Sequence, residues 1–120
     1  MAAPTNKHIQ TGQSGEDIAV LFLQQQGYFI LQRNYRHKRA EVDIIAQKDN
    51  LLVFVEVKTR STDRYGFPEE AVNFKKEQLL LTAAEEFIEN SNWLHDIRFD
   101  IISITLGTKP TVHHIEDAFH

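Results

Sequence analysis

Four charges stand at alternate positions in two neighbouring hydrophobic segments. Glu41 and Asp43 interrupt Ala40-Glu41-Val42-Asp43-Ile44-Ile45-Ala46, and Glu56 and Lys58 end Leu51-Leu52-Val53-Phe54-Val55-Glu56-Val57-Lys58. A strand turns successive side chains to opposite faces, so Val53, Val55 and Val57 share one face and Leu52, Phe54, Glu56 and Lys58 the other. Both faces are apolar over most of the segment, the pattern of a central strand covered on two sides. A charge is expensive to bury there without a partner. Carboxylates beside an ammonium are also the groups that bind hard cations and stabilise developing negative charge.

The turn between the segments predicts how the charges meet. A two-residue Asp49-Asn50 loop, built from residues that tolerate left-handed dihedrals, pairs Lys48 with Leu51. Counting back sets Asp43 opposite Glu56 and Glu41 opposite Lys58, all on one face. A slip of one residue would exchange the polar and apolar faces. Opposed carboxylates repel, so a proton or a cation is expected between Asp43 and Glu56. Mg²⁺ takes one or two carboxylates together with water and substrate phosphate, which makes these two side chains predicted metal ligands.

Composition narrows the class. A chain of 120 residues with 42% hydrophobic content can fill one core. With no cysteine, disulfides and thiolate metal sites are excluded. No apolar run approaches the roughly 20 residues of a membrane span, and Met1 to Gln13 lacks a signal-like apolar stretch. A soluble, cytoplasmic protein is the expectation, with residues 1–11 a flexible tail and 12–120 one domain. The net charge of -4 is unusual for a nucleic-acid binder, but the basic residues are not evenly spread. Arg33, Arg36, His37, Lys38 and Arg39 precede the first acidic pair, and Lys58, Arg60 and Arg64 surround the end of the second segment. These groups fit phosphate contact and solvated loop charge equally well.

The surrounding pattern reads helix, three strands, helix, two strands. Ser14 is the expected cap of a first helix running to Gly27, with Ile18, Leu21 and Phe22 on its stripe. Tyr28 to Tyr35 reads as a strand with Phe29 and Leu31 inside. Pro68 is expected to open a long helix to about Asn90, burying Val72, Leu79, Leu80, Ala83, Ala84, Phe87 and Ile88. Ile97 to Leu106 alternates as a strand, and Thr111 to Ile115 reads as an edge strand after the Gly107 and Pro110 breakers.

Asp43 followed by Glu56-Val57-Lys58 resembles the bipartite signature of the PD-(D/E)xK nuclease superfamily, which includes restriction endonucleases and Holliday-junction resolvases. More narrowly, the chain is similar to the small bacterial YraN family from about Gly15 onward. The matching stretches are Gly15-Glu16 with Ala19, Gly27-Tyr28, Asn34-Tyr35-Arg36, Glu41 to Ala46, Phe54 to Arg60, Ala71-Val72, Lys76 and Arg98-Phe99-Asp100; Ala40 stands where that family usually has Gly. The resemblance implies an α/β restriction-endonuclease-like sandwich, a central mixed sheet of about five strands flanked by helices. It also implies Mg²⁺- or Mn²⁺-dependent hydrolysis of phosphodiesters in DNA, structured or branched DNA included. Asp43, Glu56 and the Val57 carbonyl would hold the metal, with Glu16, Asp43, Glu56 and Lys58 the catalytic set. Lys58 would either orient the attacking water and stabilise developing charge while protonated or, with a lowered pKa, act as base; three nearby carboxylates favour the protonated form. Glu16 would bring a helix carboxylate to the site, although its first-turn position also suits the helix dipole alone. Glu41 is either an orienting neighbour or the ion-pair partner of Lys58. Arg36, Lys38, Arg39, Arg60 and Lys76 are the expected nucleic-acid contacts, and a homodimer is compatible with the resemblance.

Other arrangements are weaker. His113 and His114 point to opposite faces of a strand, which disfavours a metal cluster with Glu116. Thr59, Ser61 and Thr62 have no histidine base arranged beside them, and no glycine-rich phosphate loop is present. The alternatives to a nuclease are a nucleic-acid-binding or a protein-interaction module on the same fold with little or no catalysis.

Overall fold

The structure, a computed structural model, describes residues 7–61 and 74–119, with side chains placed over residues 15–61 and 75–119. The elements are α1 (Lys7–Gln25), β1 (Phe29–His37), β2 (Ala40–Lys48), β3 (Leu51–Arg60), α2 (Phe74–Ser91), β4 (Asp96–Thr105) and β5 (Thr111–Ile115). They follow the expected order and form a five-stranded mixed sheet, β1-β2-β3-β4-β5. Antiparallel neighbours can be joined by tight turns, whereas β3 and β4 run parallel and need a crossover. The segment containing α2 supplies it. The charged strand β3 is therefore central, as its two apolar faces required.

Each face of the sheet has its own core. Ala19 and Leu23 of α1 pack with Ile44, Ala46, Val53, Val55, Ile102 and Ile104. On the other face Leu80, Ala83 and Ala84 of α2 pack with Val42, Ile45, Leu52, Phe54 and Phe99, and Leu79, Phe87 and Ile88 close over them. The predicted helical stripe is thus buried, except that Val72, Pro68 and Arg64 lie outside the described residues.

Three local expectations need correction. The first helix begins at Lys7, so Ser14 is an interior residue of α1 and residues 7–11 of the expected tail are helical. Phe29 and Leu31 are exposed, because β1 is an edge strand and its register with β2 shifts between Ile30 and Gln32. That bulge turns Ile30 to the core in their place. The β2–β3 hairpin has the predicted register from Lys48↔Leu51 through Ile44↔Val55, but the paired ladder stops there. Asp43 and Glu56 are not a ladder pair, and neither are Glu41 and Lys58.

The reason lies at Asp43. Ile44 and Ala46 join the α1 core, as alternation requires, but Val42 and Ala40 join the α2 core. Strict alternation would keep Val42 with Ile44. The face changes across Asp43, opposite a stretch of β1 in which Asn34 has φ of 54°. Freed from the ladder, the Asp43 carboxylate accepts the Val57 amide N–H at 2.8 Å. A carboxylate here takes the place of a backbone carbonyl.

One glycine is demanded by packing. A Cβ on Gly15 of α1 would lie 2.0 Å from Thr59 Oγ1 and 2.9 Å from Thr59 Cβ. Any side chain there would push α1 away from the end of β3, next to Lys58.

Candidate metal and phosphate site

The side chains that matter converge where β2 leaves β3 and α2 crosses above them. A cavity of about 210 Å³ is lined by Arg39, Ala40, Glu41, Asp43, Glu56, Lys76, Leu79 and Leu80. Glu56 is buried, and its Oε1 receives two ammonium groups: Lys76 Nζ at 2.5 Å and Lys58 Nζ at 3.6 Å. Glu56 and Lys58 share one face of β3 by alternation, whereas Lys76 reaches down from the first turn of α2.

Electrostatics distinguish the two carboxylates. Asp43 is pushed up to about 7, first by burial, then by the charge of Glu56, with smaller contributions from Glu16 and Glu41; the Val57 N–H pulls the other way. Crowded carboxylates of this kind are relieved by a proton or by a cation. Hard oxygen donors, one of them with a single oxygen taken by Val57, fit a Mg²⁺ or Mn²⁺ ion whose remaining positions are water and substrate. Among the described residues no three His, Asp or Glu side chains form a metal-holding group. The set expected from the family resemblance, Asp43, Glu56 and the Val57 carbonyl, includes only two carboxylates, both of which line the cavity.

Lys58 departs from expectation. Burial and the adjacent Lys76 lower its pKa, outweighing the opposite pull of Glu56. Surrounding carboxylates do not dominate, because burial and then the second ammonium among them act the other way.

The remaining candidates divide by position. Glu41 pairs with Arg36 at 2.9 Å rather than with Lys58, since the ladder that would have opposed Glu41 to Lys58 has ended; it nonetheless borders the cavity. Glu16 accepts hydrogen bonds from Arg33 and Asn34 on β1 and acts on Asp43 through its field, without lining the cavity. Arg39 lines it, and Lys38 occupies the β1–β2 turn with φ of 58°. Arg36 is largely exposed on the same hairpin, and Arg60 ends β3. Sequence reasoning missed that Arg33 and Asn34 hold Glu16. It also missed that Lys76 pairs with Glu56, for which no local signal exists across 20 positions.

The described chain has a second charged cluster, on the α1 face. Asp100 is fully buried. It accepts both arms of Arg98 at 2.8 Å, lies 2.7 Å from His114 Nε2, and accepts the Asp117 amide N–H at 3.1 Å. Arg98 also donates to the Tyr28 hydroxyl. Every buried polar side-chain atom described has a partner. His114 is engaged with Asp100.

The model of the family described as "Uncharacterised protein family UPF0102" matches residues 15–104. The chain belongs to the UPF0102 family. The YraN-like relationship expected from its motifs therefore holds. A UPF0102 protein of Flavobacterium psychrophilum is 46% identical over 115 residues, covering 95% of this chain and 97% of its own length. One from Cytophaga hutchinsonii is 47% identical over 107 residues, 89% and 94% of the two chains. One from Chloroherpeton thalassium is 43% identical over 124 residues, 95% and 96%. The matched region of this UPF0102 chain begins at Gly15, at the close contact with Thr59, and includes Asp43, Glu56, Lys58, Lys76 and Asp100. Among its described residues, no helix is long and apolar enough to cross a membrane.

The Asp43 shift has a direct stability consequence. Its folded value lies above the ordinary carboxylate value, so between about pH 4 and 7 the folded state holds a proton that the unfolded chain has lost. Stability then falls as pH rises through that window. Asp43→Asn removes the penalty, and at pH 8 without metal it is expected to be more stable than wild type by up to about 4 kcal/mol. The same variant should lose any stabilisation by Mn²⁺. Thermal melts at pH 5 and pH 8, with and without the ion, measure both effects; equal melting temperatures for variant and wild type at pH 8 would refute the crowding.

Proposed function

We propose that this UPF0102 protein is a Mg²⁺- or Mn²⁺-dependent nuclease on a restriction-endonuclease-like fold, acting on DNA and particularly on structured or branched DNA. The observation that carries the reading is that Asp43, Glu56 and Lys76 line one cavity while Lys58 pairs with the same Glu56 oxygen as Lys76. A structural core gains nothing from crowding two carboxylates where one must hold a proton near neutrality. In this reading Asp43, Glu56 and the Val57 carbonyl hold the cation. Once bound, it supplies a Lewis-acid clamp on a nonbridging phosphate oxygen and a more acidic water. Val57 N–H fixes the Asp43 carboxylate, limiting its reorganisation. Lys58 addresses the attacking water: neutral, it takes the water's proton, and charged, it stabilises the negative charge on the oxygens around the pentacoordinate phosphorus. Glu16 and Glu41 contribute negative field from α1 and β2.

The basic groups suit a phosphate backbone despite the net negative charge. Arg39 lines the cavity, and Arg36 and Lys38 extend from the hairpin beside it. The test is a cleavage assay on duplex, single-stranded and four-way branched DNA with Mg²⁺ or Mn²⁺. Metal-dependent cleavage is expected, abolished by Asp43→Ala or Glu56→Ala. Binding should weaken steeply with salt, with a flatter slope when Arg36, Lys38, Arg39 or Arg60 is replaced. Salt-sensitive binding without cleavage would reduce the protein to a nucleic-acid-binding module. Neither binding nor cleavage at low salt would overturn the reading.

A further inference from the structure

Lys76 is placed where a cation shared by the two carboxylates would act. Its Nζ is 2.5 Å from Glu56 Oε1, it feels the negative charge of Asp43 as well, and its side chain lines the cavity. The same Glu56 oxygen already has Lys58 at 3.6 Å. With Asp43 ionised, as a bound cation requires, the charges of Asp43 and Glu56 are already offset by those of Lys58 and Lys76. A divalent cation arriving on Asp43 and Glu56 would leave it strongly positive, with like charges a few ångströms apart in a poorly solvated site. One ammonium must withdraw.

The geometry decides which. Lys58 is fixed on the central strand, its residue paired with Ser103 of β4, and its side chain is 21% exposed. The Lys76 side chain is 39% exposed and extends from a helix across the cavity, on a flexible four-carbon stem. We propose that Lys76 is a resident counter-ion that a divalent cation displaces from Glu56, and that the displaced ammonium then meets the phosphate of the incoming nucleic acid. The inference rests on the cation reading of Asp43 and Glu56 and adds a coupling to it. Metal loading frees a phosphate-binding group, and by reciprocity bound phosphate draws Lys76 away and tightens the metal. An ammonium is suited to both tasks, since it offers three donors in any direction and meets carboxylate or phosphate as a point charge.

The test uses Lys76→Met, with Lys75→Met as a control that removes the same charge from an exposed neighbour. Calorimetric titration with Mn²⁺ alone reads metal affinity. Fluorescence anisotropy of a short labelled duplex, in EDTA and in Ca²⁺, reads the gain in DNA affinity on metal loading. In Lys76→Met, Mn²⁺ should bind roughly fivefold or more tightly, because its competitor is gone, and the gain in DNA affinity should shrink by a similar factor. Lys75→Met should match wild type in both. Lys76→Arg, which keeps the charge, should restore most of the competition. Unchanged or weaker Mn²⁺ binding in a folded Lys76→Met, with wild type binding normally, would overturn this inference and leave the metal reading intact. Failure of wild type itself to bind Mn²⁺ would overturn both.

Discussion

Lys58→Ala is expected to lower metal-dependent cleavage by about 10²–10³-fold while leaving metal affinity at or above the wild-type level. Lys58 touches Glu56 at 3.6 Å, so its loss removes a cation from the site and no ligand. In the proposed nuclease, the contact of Lys58 with the attacking water would be made chiefly in the transition state, and a group of that kind affects kcat more than binding. Lys58→Arg keeps a charge but cannot become neutral, and its planar fork differs from an ammonium in reach. It too should be strongly impaired. Single-turnover cleavage combined with Mn²⁺ titration separates the effects. Wild-type cleavage by Lys58→Ala would remove the residue from the chemistry, and loss of metal binding in that variant would show that its role is to assemble the site.

The largest stability effect is expected at Asp100, on the opposite face of the sheet from the cavity. Asp100→Ala leaves Arg98 and His114 without the carboxylate that both engage. Breaking a buried pair from one side strands the other charge, and the expected cost is about 3–5 kcal/mol. For a domain of this size that corresponds to a fall in melting temperature of roughly 10–25 °C. Burial by itself would raise Asp100, but hydrogen bonds from His114, Arg98 and the Asp117 amide outweigh it and hold the carboxyl below its usual range. A depressed carboxylate contributes stability above its unfolded value and loses it as pH falls through the folded one. The two aspartates therefore act in opposite directions: Asp43 destabilises the fold as pH rises toward 7, and Asp100 withdraws support in acid below the ordinary carboxylate range. Denaturant melts of Asp100→Ala across pH would check this. A loss below 1 kcal/mol at pH 7 would show that the cluster contributes little to stability.

Legibility differed with the length scale of the interaction. Periodicity identified every strand and the buried face of α2, because burying Leu80, Ala83, Ala84 and Phe87 against Leu52 and Phe54 depends on spacing within each element. The Asp49-Asn50 turn predicted the register of β2 and β3 for five pairs, since hairpin register follows from loop length. Residue types and order were likewise enough to point to the family. What local pattern could not contain was the change of face at Asp43. It depends on β1 on the far side of β2, where Asn34 is left-handed and the β1 register has already shifted. That long-range irregularity removed Glu41 from Lys58, gave it to Arg36, and aimed the Asp43 carboxylate at Val57 N–H. Exposure of Phe29 and Leu31 likewise followed from β1 being an edge, a property of strand order rather than composition. The direction of the Lys58 shift was decided by tertiary structure alone, because it comes first from burial and then from the ammonium of Lys76, brought in by a helix 18 positions later in the chain. The sequence by itself determined which charged groups are present and which strands and helix faces carry them. Only the tertiary structure decided which charges meet, because Coulomb interactions follow distance and burial in space, and the chain encodes neither until its elements are packed.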